Sequence, residues 1–114
     1  MENFNDPSYN PTGFSLSIFK DRYSFTENET WKDACIRVSR QMGIPESPEK
    51  QQQYVNKFYE ILSSNVFVPG GRIWYNSGRV NPQMLNCYVL NPDKDSKEGW
   101  GRSAYDMILS LIHI

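Results

Sequence analysis

Two stretches in the first half of the chain carry apolar side chains at helical spacing, and beyond about residue 65 that period is lost. In the first stretch Trp31, Ala34, Cys35, Val38 and Met42 fall on one face of a helix. Thr30 and Asp33 stand three apart ahead of it, a capping box with Asp in place of the usual Glu. Gly43 and then Pro45 end it. Ser47-Pro48 opens a second helix as N-cap and first-turn proline. Its apolar stripe is Tyr54, Val55, Phe58, Ile61 and Leu62, running to about Ser64. The pair predicts a helical hairpin.

After the hairpin, Val66-Phe67-Val68 predicts a short strand or extended lead-in, broken by Pro69-Gly70-Gly71. Ile73-Trp74-Tyr75 is apolar again, and Asn76-Ser77-Gly78-Arg79 has turn chemistry. Residues 84–90 then predict a buried strand, with Leu85, Cys87 and Val89 on one face and Asn86, Tyr88 and Leu90 on the other. Ser103 with Asp106 is placed to cap a last helix. Residues 1–20, rich in Asn, Pro, Ser and Gly, predict an extended arm. Phe4, Tyr9, Phe14, Leu16, Ile18 and Phe19 within it indicate that the arm packs onto something. The class expected from the pattern is an α+β fragment.

The totals narrow the function classes. At 114 residues the chain is one small domain or a piece of a larger protein. A net charge of −1 with mixed signs argues against nucleic acid or an anionic membrane as partner. No apolar run approaches the roughly 20 residues that span a bilayer. The N-terminus has neither a basic nor an apolar leader region, so a cytoplasmic location is expected. Cys35 and Cys87 form no metal-spaced pair, and the single His stands at the extreme end, so no metal ligands are expected. Neither of the usual glycine-rich phosphate loops is present.

Candidate chemistry therefore gathers in the second half. A thiol in a strand, near a loop stripped of side chains, could hold a small polar substrate against a redox group. Each signal is weak alone. A Cys in an apolar run is more often a small core residue. A glycine pair usually marks a tight turn, Asp95-Ser96 usually caps a helix, and Arg72 and Arg79 would ordinarily be solvated. Cys35, on an apolar helix stripe, fits the core reading well.

The ordered combination is more specific. Phe58-Tyr59-Glu60-Ile61-Leu62, Phe67-Val68-Pro69-Gly70-Gly71-Arg72-Ile73, Leu85-Asn86-Cys87-Tyr88-Val89-Leu90 and Asp95-Ser96-Lys97-Glu98-Gly99-Trp100 together resemble the large catalytic chain of ribonucleotide reductases. Glu29-Thr30-Trp31-Lys32-Asp33 resembles the start of that family's N-terminal helical segment. The resemblance covers about residues 22–108, and the Pro-Gly-Gly-Arg-Ile form favours the adenosylcobalamin-dependent (class II) enzymes.

The resemblance implies a helical region at 21–65, then at 66–108 the first strands of a ten-stranded α/β barrel. It implies that Cys87 is one cysteine of the redox pair that reduces the ribose 2′-position of a ribonucleotide. Asn86 and the backbone at Gly70 and Gly71 would line the substrate. Asp95 and Ser96 would begin an allosteric site for dNTP or ATP effectors. Adenosylcobalamin would be the cofactor of a full-length parent, with its contacts elsewhere in that chain, and a thioredoxin- or glutaredoxin-type dithiol would be the reductant. The parent is open to a homodimer. The radical-forming cysteine and the second redox cysteine have no counterpart here, and Cys35 matches no family cysteine.

Residues 109–114, Leu-Ser-Leu-Ile-His-Ile, are also the in-frame reading of CTGTCTCTTATACACATC, a transposon-end adapter. The expectation is that native sequence ends near Ile108 and that His113 carries no function. A fragment of this kind is expected to be inactive by itself and poorly soluble. Two rivals stand beside the cobalamin class. One is the large chain of a di-iron (class I) reductase; the other is a small non-catalytic helical interaction module in which Cys87 is core.

Overall fold

The computed structural model describes residues 4–85 and 87–112. They form α1 (Gly13–Ile18), a π-helical turn (Phe19–Tyr23), α2 (Trp31–Gly43), α3 (Pro48–Ser63), α4 (Gly71–Asn76) and α5 (Lys97–Ile112). The chain divides into two compact units, one reaching to Met84 and the other beginning at Leu85.

The α2–α3 hairpin is the frame of the first unit. The capping box at its head is formed: the Asp33 amide donates to Thr30 Oγ1 (3.2 Å) and the Thr30 amide to Asp33 Oδ2 (3.0 Å). Ala34, Cys35 and Val38 are buried, as the stripe on α2 predicts, and Trp31 and Met42 pack against them. On α3 the buried face is rotated from the expected one. Val55, Tyr59 and Leu62 are interior, Ile61 is 40% exposed, and Tyr54 and Phe58 are half-buried. Tyr59 is interior because residues 4–9 lie across α3: Phe4 packs on its ring at 4.7 Å and its hydroxyl donates to the Asn5 carbonyl. A sequence pattern weighs a phenol as half polar, and only the neighbour that takes its hydrogen bond permits burial.

The two helices are close at the end of α2. A Cβ on Gly43 would stand 2.5 Å from Val55 Cγ2, so the hairpin closes through a position with no side chain. Around this frame the core is completed by Phe19 from the π-helical turn and Trp74 from α4. Trp31 stacks on Trp74 at 4.8 Å and meets Phe19 edge-on at 5.6 Å. Each such ring pair contributes about 0.5–1.5 kcal/mol beyond simple burial.

The expected α+β class is overturned. All regular elements among the described residues are helical, and no strand is formed. Residues 66–70 and 87–92 carry no regular structure. Leu85, Val89 and Leu90 are 60%, 88% and 42% exposed, which is not the alternation of a half-buried strand. A strand exists only through hydrogen bonds to a neighbour, and no segment among the described residues pairs with either run. The first barrel strands expected in 66–108 are therefore not formed here; 71–76 and 97–112 are helices instead. Ile73-Trp74-Tyr75 winds into α4, with the Ile73 amide bonded to the Gly70 carbonyl (2.9 Å) and Ser77 to Ile73 (3.1 Å). The expected extended arm is likewise interrupted by α1 at its far end. The last helix begins at Lys97, ahead of the expected cap at Ser103 and Asp106.

Candidate functional site

The glycine pair opens α4. Gly70 caps the helix with φ −57° and ψ 151°, angles open to any residue, so its freedom at positive φ is not used. Gly71 is required for space. A Cβ there would lie 2.8 Å from Cε1 and 3.2 Å from the hydroxyl of Tyr23, whose ring covers the loop from the π-helical turn. Beside the loop runs a groove of about 350 Å³ with a mainly apolar lining that includes Phe14, Ile18, Val68, Pro69 and Trp74.

Behind the loop stands the main charged pair of this unit. Glu29 and Arg37 have side chains only 7% and 13% exposed, and Arg37 Nε and Nη2 donate to the two Glu29 carboxylate oxygens at 2.7 and 3.0 Å. The same guanidinium donates to the carbonyls of Trp74 (2.7 Å), Ser77 (2.8 Å) and Tyr23 (3.3 Å). Glu29 also accepts from the Phe25 amide at 2.6 Å. A buried ion pair is tolerable only when the remaining donors and acceptors are satisfied in this way. Nearby, Arg79 stacks on Tyr75 at 4.2 Å and Phe25 at 4.8 Å and donates to the Tyr75 carbonyl, so it is held against the surface rather than solvated.

In the second unit Cys87 is an exposed free thiol on an irregular segment. Asn86 lies outside the described residues. Asp95 and Ser96 head α5: Ser96 Oγ accepts from the Gly99 amide (3.0 Å), and Asp95 Oδ1 accepts from the Trp100 indole (3.3 Å). Both residues thus serve the helix start. Cys35 is a different kind of thiol. It is fully buried in the core, and burial pushes its pKa up to about 12.

Sequence reasoning brought Gly70 and Gly71 to one loop and Asp95 and Ser96 to one helix head. It missed the Glu29–Arg37 pair and Tyr23. Arg37 lies about 120° from the centre of the apolar stripe of α2, so helical spacing gave no sign of its burial. Nothing in the spacing pointed to Trp74 and Ser77, some forty residues on, as its acceptors.

Fold and site together define a small helical domain braced by a buried ion pair behind a glycine loop. Residues 9–82 match the family described as ribonucleotide reductase, all-alpha domain, and the chain belongs to that family. It is 31% identical over 68 residues to the ribonucleoside-diphosphate reductase large chain of Encephalitozoon cuniculi (strain GB-M1). That alignment takes in 60% of the chain but only 8% of the relative's length. No solved structure matches the chain significantly. Among the described residues no helix is long and apolar enough to cross a membrane.

Proposed function

We propose that the chain is the N-terminal part of a ribonucleotide reductase large chain, and that its parent reduces ribonucleotides to deoxyribonucleotides for DNA synthesis. The family match over residues 9–82 is the observation that carries this reading. In the parent, Cys87 acts with a second cysteine from elsewhere in the polypeptide. As the ribose 2′ C–O bond breaks and oxygen leaves as water, the two thiols supply two electrons and two protons and close to a disulfide. An external dithiol of the thioredoxin or glutaredoxin type reopens it by exchange. The exposure of Cys87 suits that exchange, and Cys35, interior and held protonated, does not suit the partner role. Gly70, Gly71 and Asn86 line the substrate. Asp95, in exchanging its Trp100 partner for a deoxyribose hydroxyl, begins the effector site with Ser96.

The radical source divides the reading. The Val68-Pro69-Gly70-Gly71-Arg72-Ile73 run favours adenosylcobalamin. Among the described residues no group of three His, Cys, Asp or Glu side chains converges to hold a metal. In this reading adenosylcobalamin would supply the radical, and its contacts belong elsewhere in the parent. The second reading, a large chain served by a separate radical-generating subunit and acting on diphosphates, is favoured by the name of the Encephalitozoon relative.

The test is deoxyribonucleotide formation by the full-length polypeptide, expressed from its native locus, with a dithiol reductant. Turnover on adding adenosylcobalamin alone, lost in Cys87→Ser, supports the first reading. Turnover that needs a second protein subunit supports the other. An intact, folded parent that does neither ends the proposal.

A further inference from the structure

The Glu29–Arg37 pair bonds the far end of α4 directly and reaches its glycine end only through Tyr23. At the far end of α4, Arg37 Nη1 binds the carbonyls of Trp74 and Ser77 at 2.7 and 2.8 Å. At the near end its Nη2 reaches the Tyr23 carbonyl at 3.3 Å, and the Tyr23 ring fills the space over Gly71. Glu29 sets the guanidinium plane with two further bonds and ties it to the Phe25 amide. A planar fork with five donors can hold such a set, whereas the point charge of lysine cannot.

We propose that Arg37, oriented by Glu29, is a positioning residue for the Gly70–Gly71 loop, fixing the backbone against which the ribonucleotide is held. This rests on the reading of that loop as substrate-facing. Arg37 acts through α4 and Tyr23 and has no contact with the reacting atoms. Its loss should therefore weaken substrate binding more than it slows the chemistry.

Two measurements separate the proposal from the reading beneath it. The first is amide exchange in the 114-residue chain, where Arg37→Lys should accelerate exchange at Ile73, Trp74 and Ser77 by about tenfold or more while the α2–α3 hairpin stays protected. The second is steady-state kinetics of the full-length reductase. Arg37→Lys should raise KM for the ribonucleotide on the order of tenfold with kcat changed by less than about twofold. Glu29→Gln, which keeps an acceptor for Phe25 and for one guanidinium N–H, should fall between wild type and Arg37→Lys, and it replaces that variant if lysine prevents folding. Unchanged exchange across α4 overturns the proposal whatever the kinetics. Gly71→Ala raising KM while Arg37→Lys leaves it unchanged also overturns it, and leaves the substrate-facing loop standing. Neither variant moving KM, with α4 loosened, removes the substrate reading and the proposal together.

Discussion

Replacing Gly43 by alanine sets two effects of opposite sign against each other, and the geometry decides between them. Gly43 is the last residue of α2, with no left-handed backbone angle to protect. Propensity alone therefore favours alanine, by about 0.5–1 kcal/mol. The added Cβ, however, would stand 2.5 Å from Val55 Cγ2, more than an ångström inside an ordinary carbon–carbon contact of about 3.5–4.0 Å. Val55 is 4% exposed and sits within α3, where a β-branched side chain has essentially one rotamer, so the methyl cannot turn aside. Relief must come from separating the helices, and overpacking of this kind costs about 1–3 kcal/mol. The net expectation is a destabilisation of roughly 1–2 kcal/mol. Urea unfolding followed by tryptophan fluorescence measures it, because Trp31 and Trp74 both sit at the core. In the double variant with Val55→Ala the clash disappears, and the coupling should be about 1 kcal/mol or more in the stabilising direction. Gly43→Ala as stable as wild type, or no coupling with Val55→Ala, would refute the close approach of α2 and α3.

Thiol titration of the folded chain with an aromatic disulfide at pH 8 should report one fast thiol. Cys87→Ser should remove it, because Cys35 is interior and its pKa is raised to about 12; two fast thiols would place Cys35 outside the core. Thr30→Ala should cost about 1 kcal/mol through loss of the capping box. The Thr30 hydroxyl and amide hold the Asp33 carboxyl below its ordinary value, so this contribution is present above about pH 3.9 and is lost as pH falls through the lower folded value. The acid limb of stability should therefore flatten in Thr30→Ala, and an unchanged limb counts against the cap. Tyr59→Phe should cost about 1–2 kcal/mol by leaving the Asn5 carbonyl without its donor. Burial raises the Tyr59 pKa, so its contribution is complete below about pH 10 and fades as pH rises through the folded value. Difference absorption of the phenolate under alkaline titration checks it. Ser96→Ala should fray the first turn of α5, since the Gly99 amide loses its 3.0 Å acceptor; loss of helical circular dichroism is the readout.

The parts of this protein legible in its sequence are those that depend on neighbours a few residues away. The capping box of Thr30 and Asp33, the stripe of Ala34, Cys35 and Val38, the proline start of α3 and the end of α2 at Gly43 are all local, because a helix closes its hydrogen bonds within four residues. The motifs from Glu29 to Ile73, which lie within the residues the family matches, were legible for the same reason, since order and spacing along the chain survive without coordinates. What the tertiary structure alone decided depends on residues far apart. The apolar run around Cys87 has strand composition, but a strand needs a partner, and no described segment supplies one. Tyr59 rather than Phe58 is interior because the Asn5 carbonyl accepts its hydrogen bond across more than fifty residues. Gly71 is a glycine because Tyr23 occupies the space of its side chain, and Arg37 is buried because Glu29, Trp74 and Ser77 converge on it. A charge can leave water only when every donor finds its acceptor, and that condition is met by folding, not by spacing.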